Sequence, residues 1–174
     1  MATIDLDRVP AFYHRYIARA EAPTLAGTLA LRHGVLPLLR ALPAAKWDFA
    51  YAPGKWTIKE LVQHLIDAER IFAYRALCFA RGESAALPGF EEDDYVRTSE
   101  AGRRSPESIL SELERLFAST DDLFASLSEE ALERSGNANG NPIYVRAIGY
   151  IVSGHVLHHR AVLEERYLAV PVAG

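Results

Sequence analysis

The sequence predicts an all-α fold, a four-helix bundle with a short N-terminal segment and a long loop between the second and third helices. Apolar residues recur at helical spacing along several long stretches, and glycine and proline residues fall between those stretches. The alternation that is typical of strands is nearly absent. The chain of 174 residues has single-domain length, and 49% of its residues are hydrophobic, which is enough for a sizeable core. We therefore expect one domain over residues 1–174.

Residues 1–20 are expected to form a short amphipathic segment that lies across the bundle. Their proline and aromatic residues are Pro10, Phe12, Tyr13 and Tyr16. The first bundle helix is predicted over residues 23–42, where apolar residues fit a helical stripe only loosely. Gly34 and Pro37 lie inside this helix, and we expect them to bend it because proline removes a helical hydrogen bond.

The second helix has a clear beginning at Thr57, which forms a capping box with Glu60 three residues later. Gly82 is expected to end this helix. The polar stretch that follows, residues 83–104, is predicted to be irregular, and so long a loop often shapes an entrance or a partner surface. Its acidic run, residues 91–94, either forms a lip over a pocket or is simply solvated.

The third helix is predicted to begin at Ser105, followed by a first-turn proline and an early acid. Ser128 starts a short helical turn, and residues 136–140 are predicted to be a loop. Asn141 and Pro142 are then expected to open the fourth helix, which continues to about Tyr167.

Composition excludes several classes of protein. The formal net charge is −4 and no run of lysine and arginine occurs, which argues against a nucleic-acid partner. No stretch approaches ~20 consecutive apolar residues, so we expect no membrane span. Cys78 is the single cysteine, so no internal disulfide can form and a cytoplasmic location is expected. Cys78 is read as a small buried apolar residue, with a nucleophile as the minority alternative.

The most informative pattern lies on the fourth predicted helix. On a wheel at about 100° per residue, His155 and His159 flank the centre of its apolar stripe, and His158 falls at the edge. Burying an imidazole is unfavourable unless both ring nitrogens are satisfied. One metal ion satisfies two rings together, and the i,i+4 spacing lets one helix supply two ligands. His158 could replace His159, since i,i+3 also shares a face, but the wheel favours His159.

The second helix can supply a third ligand. His64 lies among the apolar residues that face inward on this helix. Asp67, one turn later, could orient a ligand, reach the metal directly or act as a base. The alternative for each histidine is structural, because a single inward histidine is more often a hydrogen-bonded core residue.

Two segments and one loop carry a resemblance to a known family. They are residues 51–77, which include Trp56 and His64, residues 138–160, which include Gly154 and His155, and the loop at residues 88–90 with its neighbouring acids. Together they make the chain similar to the DinB superfamily of damage-inducible, YfiT-like, metal-dependent enzymes. The resemblance extends over residues 23–168.

This resemblance implies a four-helix bundle with a metal site whose ligands are His64, His155 and His159. It also implies a homodimer, and it points to transferases that use a low-molecular-weight bacterial thiol and to related isomerases. Zinc suits three imidazole ligands with an open position, and nickel, iron and manganese are also compatible with them.

Three functions are consistent with such a site. The first hypothesis is a metal-dependent thiol S-transferase that acts on electrophilic small molecules, with the thiol as co-substrate. The alternative is a metal-dependent hydrolase in which hydroxide on the metal attacks an amide or ester, with Asp67 as the candidate base. A non-catalytic, metal-binding stress-response protein is the third hypothesis.

Overall fold

Four helical arms pack side by side in the computed structural model, which describes residues 4–169. The α-helices in chain order are α1 (His14–Ile17), α2 (Leu25–Leu31), α3 (Val35–Arg40), α4 (Ile58–Ala80), α5 (Glu92–Thr98), α6 (Pro106–Ala125), α7 (Glu129–Glu133) and α8 (Val145–Val162). The two strands are β1 (Ser135–Ala138) and β2 (Asn141–Tyr144), which pair antiparallel. The broken arm α2–α3, together with α4, α6 and α8, makes the bundle, so the predicted all-α fold is confirmed.

The first arm is bent as the sequence predicts. A 3-10 turn, Arg32–Gly34, interrupts it between α2 and α3. Pro37 has no N–H to donate to the carbonyl of His33, so the helix lacks one α-helical hydrogen bond at this turn. The N-terminal segment also matches expectation, because two 3-10 turns and the short α1 lie against the bundle.

Capping residues set the bounds of the two long helices that follow. The Thr57 hydroxyl accepts from the Glu60 N–H at 3.2 Å, and the Glu60 carboxylate accepts from the Thr57 N–H at 2.7 Å. Gly82 adopts φ +84° just beyond the end of α4, a conformation that favours glycine. The Ser105 hydroxyl caps α6 by accepting from the Ser108 N–H.

The long connection between α4 and α6 is more ordered than predicted. It contains α5 and a 3-10 turn, Ala101–Arg103, where the sequence predicted irregular structure. Three acidic residues occupy the first turn of α5, where they interact favourably with the positive end of the helix dipole. Val96 packs into the bundle and is 4% exposed. The surrounding charged residues gave no apolar pattern in the sequence, so this helix was not predicted.

The fourth helix begins later than predicted, because Asn141 and Pro142 belong to β2. Asn139 and Gly140 both have positive φ, +53° and +73°, and they form the two-residue turn of a β-hairpin. An Asn-Gly pair is the favoured sequence for such a turn. Pro142 is tolerated because one side of β2 has no partner strand among residues 4–169. At its other end α8 continues as a π-helix, Leu163–Leu168, so the helical segment ends within one residue of the predicted end at Tyr167.

Two apolar clusters fill the bundle, and they divide along α4 and α8. One contains Phe72 and Ile151, and the other contains Leu61 and Val156. His64 and His155 lie at the boundary between the clusters. Among residues 4–169, no helix is both long enough and apolar enough to cross a membrane.

The N-terminal segment crosses α8 in very close contact. A Cβ atom on Gly154 would lie 1.9 Å from the backbone oxygen of Tyr16, so only glycine permits this approach. One residue earlier, the Ser153 hydroxyl donates to the Thr28 carbonyl of α2 at 2.6 Å. These contacts hold α1 and α2 against the same stretch of α8.

Arg32 is fully buried where α2 meets α3, and its guanidinium connects three arms. It pairs with Glu69 of α4 at 3.2 Å and with Asp121 of α6 at 2.8 Å. It also donates to the carbonyls of Leu29 and Phe117. Burial raises the pKa of Glu69, and the Arg32 charge opposes that rise. Because an unpaired buried charge is strongly unfavourable, these contacts fix α2, α4 and α6 relative to one another.

Removing the Arg32 guanidinium is expected to leave Glu69 buried without its cation. Arg32→Met should lower the free energy of unfolding by roughly 3–5 kcal/mol, measured by urea denaturation. The double variant Arg32→Met/Glu69→Met should recover most of that loss, because both buried charges are then gone. A loss below about 1 kcal/mol in the single variant, the size of an exposed pair, would contradict this role.

Candidate metal centre

Three histidines from two helices converge inside the bundle. The ring nitrogens that His64, His155 and His159 can offer all lie within 4.8 Å of one another. The Nε2 atoms of His64 and His155 are 3.0 Å apart across the α4–α8 interface. Two nitrogens bound to one zinc ion at about 2.0–2.1 Å are separated by roughly 3.0–3.4 Å. The spacing of the two rings is therefore close to that of ligands to a common ion.

Burial keeps these rings neutral. His64 and His155 are 2% and 7% exposed. Burial lowers the pKa of His64 to about 4, and the nearby Asp93 carboxylate opposes that shift. Burial and the neighbouring imidazole of His64 lower the pKa of His159 to about 3. Burial likewise holds the pKa of His155 well below its usual range. A neutral imidazole has the lone pair that a metal ion requires.

One observation tests whether these residues fit an ion. Nδ1 of His159 is buried and has no hydrogen-bond partner among the residues that the structure describes. A proton shared by His64 and His155 would satisfy their facing nitrogens, but it would leave the His159 ring unsatisfied. A buried polar atom without a partner is unfavourable. Three neutral nitrogen donors, one of them without a partner, fit a divalent ion of the zinc type.

Aromatic rings surround the histidines. The ring centroid of Trp56 lies 4.9 Å from that of His64. Tyr16 meets His155 edge-on at 5.5 Å, and Phe72 approaches the same ring at 6.4 Å. Such walls limit the access of water and lower the local dielectric, which strengthens electrostatic effects inside the site.

The cluster opens to solvent through a cavity beside His159. This cavity, of about 290 Å³, lies between the start of α4, α5 and the end of α8. Its lining includes Tyr51, Lys55, Trp56, Asp93, His159 and Tyr167. His159 is thus the histidine of the cluster that faces the cavity, while His64 and His155 lie deeper.

The structure brings together the three histidines that the sequence selected. His158 stays outside the group: it is half-buried, and its ring packs edge-on against Tyr16 at 5.6 Å. The sequence alternative in which His158 replaces His159 therefore lacks geometric support. The role of the three histidines as ligands stays a prediction.

Asp67 points to a different surface. Its carboxylate accepts from the Gln63 side chain at 3.0 Å, and it lines a separate concavity with Arg70 and Tyr95. Gln63 and Asp67 are four residues apart, so they share a face of α4 that is rotated away from His64. No hydrogen bond joins Asp67 to the three histidines among the described residues, and its part in catalysis also stays a prediction.

Asp93 is a site residue that the sequence did not single out. It lines the cavity beside His159, and its charge raises the pKa of His64 against the effect of burial. The acidic run at residues 91–94 was the available signal, since one reading placed it as a lip over a pocket. Only the formation of α5 distinguishes Asp93 from its acidic neighbours.

A larger cavity lies elsewhere, on the side of α2 and α6. It measures about 770 Å³ and has an apolar lining that includes Leu29 and Phe124. Its polar groups already pair with one another or with neighbours, His33 with Asp121 at 2.8 Å and Arg146 with Glu129. Size alone does not make it the reaction site, because no comparable group of ligand nitrogens converges there among residues 4–169.

Curated relatives resemble the chain over nearly its whole length. A protein of Geobacillus thermodenitrificans (strain NG80-2), named "Putative metal-dependent hydrolase", is 28% identical over 169 residues. The match covers 92% of this chain and 94% of the relative. A second relative, "Putative metal-dependent hydrolase GK0616" of Geobacillus kaustophilus (strain HTA426), is 27% identical over 169 residues, with the same coverage of each chain.

Solved structures share the fold. YfiT from Bacillus subtilis, described as "a probable metal-dependent hydrolase with an unusual four-helix bundle topology", matches with a TM-score of 0.71 at 18% identity. That match covers 97% of this chain and 91% of YfiT. A mycothiol-dependent maleylpyruvate isomerase matches with a TM-score of 0.64 at 15% identity, over 91% of this chain and 62% of the isomerase. The family model of the DinB superfamily matches residues 28–163. The chain therefore belongs to the DinB superfamily.

Proposed function

We propose that this protein is a metal-dependent enzyme in which His64, His155 and His159 hold a divalent ion. The proposed reaction is hydrolysis of an amide or ester bond in a small molecule. The observation that carries the proposal is the convergence of three neutral imidazoles, His64 and His155 buried and His159 half-buried, with His159 lining an open cavity. Structural metal sites are closed by a fourth protein ligand, whereas a site with three ligands leaves a position open.

The bound ion would lower the pKa of a water molecule and polarise a carbonyl group. The chain's own residues would do the rest. His159 lines the cavity where a substrate would enter, and Asp93 supplies a carboxylate on the same cavity. A carboxylate at that position can accept a proton during attack on a carbonyl. The aromatic rings of Trp56 and Tyr16 would restrict water around the histidines.

The names of the curated relatives support hydrolysis as the first candidate. Both are metal-dependent hydrolases by name, and the alignments cover 92% of this chain. Asp93 adds a second argument, because hydrolysis needs a base near the attacking water and this carboxylate faces the cavity. Asp67, the base expected from the sequence, would have to act through Gln63 or after a rearrangement.

Thiol S-transfer is the second candidate. A mycothiol-dependent isomerase shares this fold, which supports a low-molecular-weight thiol as a possible co-substrate. Neutral imidazole ligands are compatible with an ion that lowers the pKa of a thiol, and the attack on an electrophile then needs no protein base. A stress-response protein that holds metal without turnover is the third candidate. The homodimer and the cytoplasmic location stay predictions.

Metal binding is expected to depend on the three clustered histidines and not on His158. Elemental analysis after zinc loading should give about one ion per chain. His155→Ala should weaken binding by at least ~10-fold, because loss of a metal ligand is expected to cost no less than loss of a group that orients a ligand. His158→Ala, on the same helix, is the matched control and should bind like the wild type. Equal loss in both variants would contradict the ligand assignment, and circular dichroism would verify that each variant is folded.

Activity separates the three candidates. We expect the zinc-loaded protein to hydrolyse p-nitrophenyl acetate, and we expect Asp93→Asn to lower kcat by roughly 10²–10⁴-fold. Asp67→Asn serves as the comparison at the other acid, and Asp94→Asn removes a neighbouring charge on α5. Conjugation of a cysteine-derived thiol to 1-chloro-2,4-dinitrobenzene without ester hydrolysis would favour thiol transfer. Tight zinc binding with neither reaction would favour the non-catalytic reading.

The stability of the metal-free protein should fall as pH falls below about 6.5. The folded-state pKa of His64, about 4, and of His159, about 3, lie below the unfolded value, so the unfolded chain takes up protons first. The loss should continue down to the folded pKa values, with a slope of at most about 1.4 kcal/mol per pH unit for each histidine. Urea denaturation at pH 7.5, 6.5 and 5.5 measures it. His64→Gln should give a shallower slope, and an unchanged slope would refute the burial effect.

A further inference from the structure

The wall of the cavity beside His159 combines aromatic rings with an ammonium group that has no carboxylate partner among the residues that the structure describes. We propose that this cavity recognises substrates that carry a planar apolar group and one carboxylate, with Lys55 as the residue that receives the carboxylate. N-Acyl amino acids with an aromatic acyl group are the simplest members of this class. The inference rests on the proposed hydrolytic function, and it goes further by naming the substrate class and the residue that selects it.

Three aromatic side chains make one wall of the cavity, and their positions are fixed. The rings of Tyr51 and Tyr167 meet edge-on, with centroids 4.9 Å apart. The Tyr167 hydroxyl donates to the carbonyl of Trp56 at 2.7 Å. Trp56 in turn contacts His64 at 4.9 Å between ring centroids. A preformed aromatic wall binds a planar group with little loss of conformational entropy, and this wall ends at a histidine of the cluster.

Lys55 lies on the same cavity and is exposed. Among residues 4–169, no carboxylate lies within ion-pair distance of its ammonium group, whereas the nearby Lys59 pairs with Asp48 at 2.9 Å. The backbone N–H of Lys55 donates to the Ala52 carbonyl at 3.2 Å, and Gly54 adopts φ +72°, so a tight turn holds this lysine in place. A fixed backbone with an unpaired ammonium group suits recognition of an anion.

The charge balance of the cavity limits the substrate to one negative charge. Asp93 lines the cavity as well, and it forms no ion pair with Lys55 among the described residues. A second carboxylate on the substrate would meet Asp93 and be repelled. A monoanion can place its charge at Lys55 and still leave Asp93 to accept a proton. The volume of about 290 Å³ admits an aromatic acyl group joined to a short carboxylate-bearing part.

The reaction on such a substrate is balanced. The oxygen of one water molecule bonds to the acyl carbon, and the bond from that carbon to the amide nitrogen breaks. One proton of the water passes through Asp93 to the leaving nitrogen, and the second is lost from the new carboxylic acid. The products are an aromatic carboxylate and an amino acid, with no oxidant or reductant involved.

Binding of two matched probes tests the proposal without turnover. N-Benzoylglycine carries the carboxylate, and N-benzoylglycinamide replaces it by a neutral amide of nearly the same shape. Zinc-loaded protein is titrated with each by calorimetry, under conditions and times where hydrolysis is undetectable. We expect N-benzoylglycine to bind about tenfold more tightly than the neutral probe. Quenching of Trp56 fluorescence, absent in Trp56→Phe, should report binding at this wall.

Variants of Lys55 then identify the residue that selects the anion. Lys55→Gln should bind both probes equally, and Lys55→Arg should retain the preference. Arg81→Gln, which removes an exposed cation at the far end of α4, is the matched control and should behave like the wild type. Equal binding of both probes by the wild type overturns the proposal. An undiminished preference in Lys55→Gln also overturns it, since the carboxylate would then bind elsewhere, for example at the metal.

The outcomes of the two proposals are distinguishable. Failure to hydrolyse any ester or amide, together with a Lys55-dependent preference for the anion, would refute hydrolysis and leave the binding class intact. Hydrolysis of a neutral ester with no preference between the probes would refute the substrate class and leave the proposed function intact.

Discussion

A single buried guanidinium controls the geometry on which the candidate site depends. Arg32 lies in an apolar interior, where its charge is acceptable only if Glu69 and Asp121 remain beside it. That requirement fixes the rotation and height of α4 against the broken first arm and against α6. Glu69 lies five residues beyond His64 on α4, so the ion pair also determines where His64 faces. The polar contact of Ser153 with Thr28 does the same for α8 and His155.

The two halves of the interior meet at the histidines. Apolar residues of one cluster and of the other pack on either side of them along α4 and α8. Burial keeps the rings neutral, and the Nε2 atoms of His64 and His155 face each other at 3.0 Å. The bundle therefore holds the histidines in place and keeps them neutral, and the connecting segments provide the other side chains of the candidate site. Lys55, Trp56 and Asp93 all come from segments that precede or connect the long helices.

The fold and the histidine cluster could be predicted because both follow from local patterns. The capping box at Thr57 and the cap at Ser105 are read directly from neighbouring residues, and the i,i+4 histidines need only helical periodicity. Asp93 could not be selected, since four consecutive acids look equivalent until α5 directs one of them toward His159. Arg32 was missed for a similar reason: an isolated arginine shows no sign of burial, because its partners are distant in sequence. The Asn139–Gly140 hairpin was predictable from its turn residues, but the proline beyond it was read as a helix start.

The contact between Gly154 and Tyr16 closes one side of the candidate metal centre. On that side the backbone of the N-terminal segment lies directly on α8, so no space exists for a molecule to pass. The cavity beside His159 lies on another side of the cluster, and it offers a route to solvent that the proposed substrate would also use. An ion that enters by this route would have to bind before the substrate fills the cavity. A molecule bound in the cavity would slow the release of the ion. The rate at which a chelator removes the ion would therefore report whether the cavity is occupied.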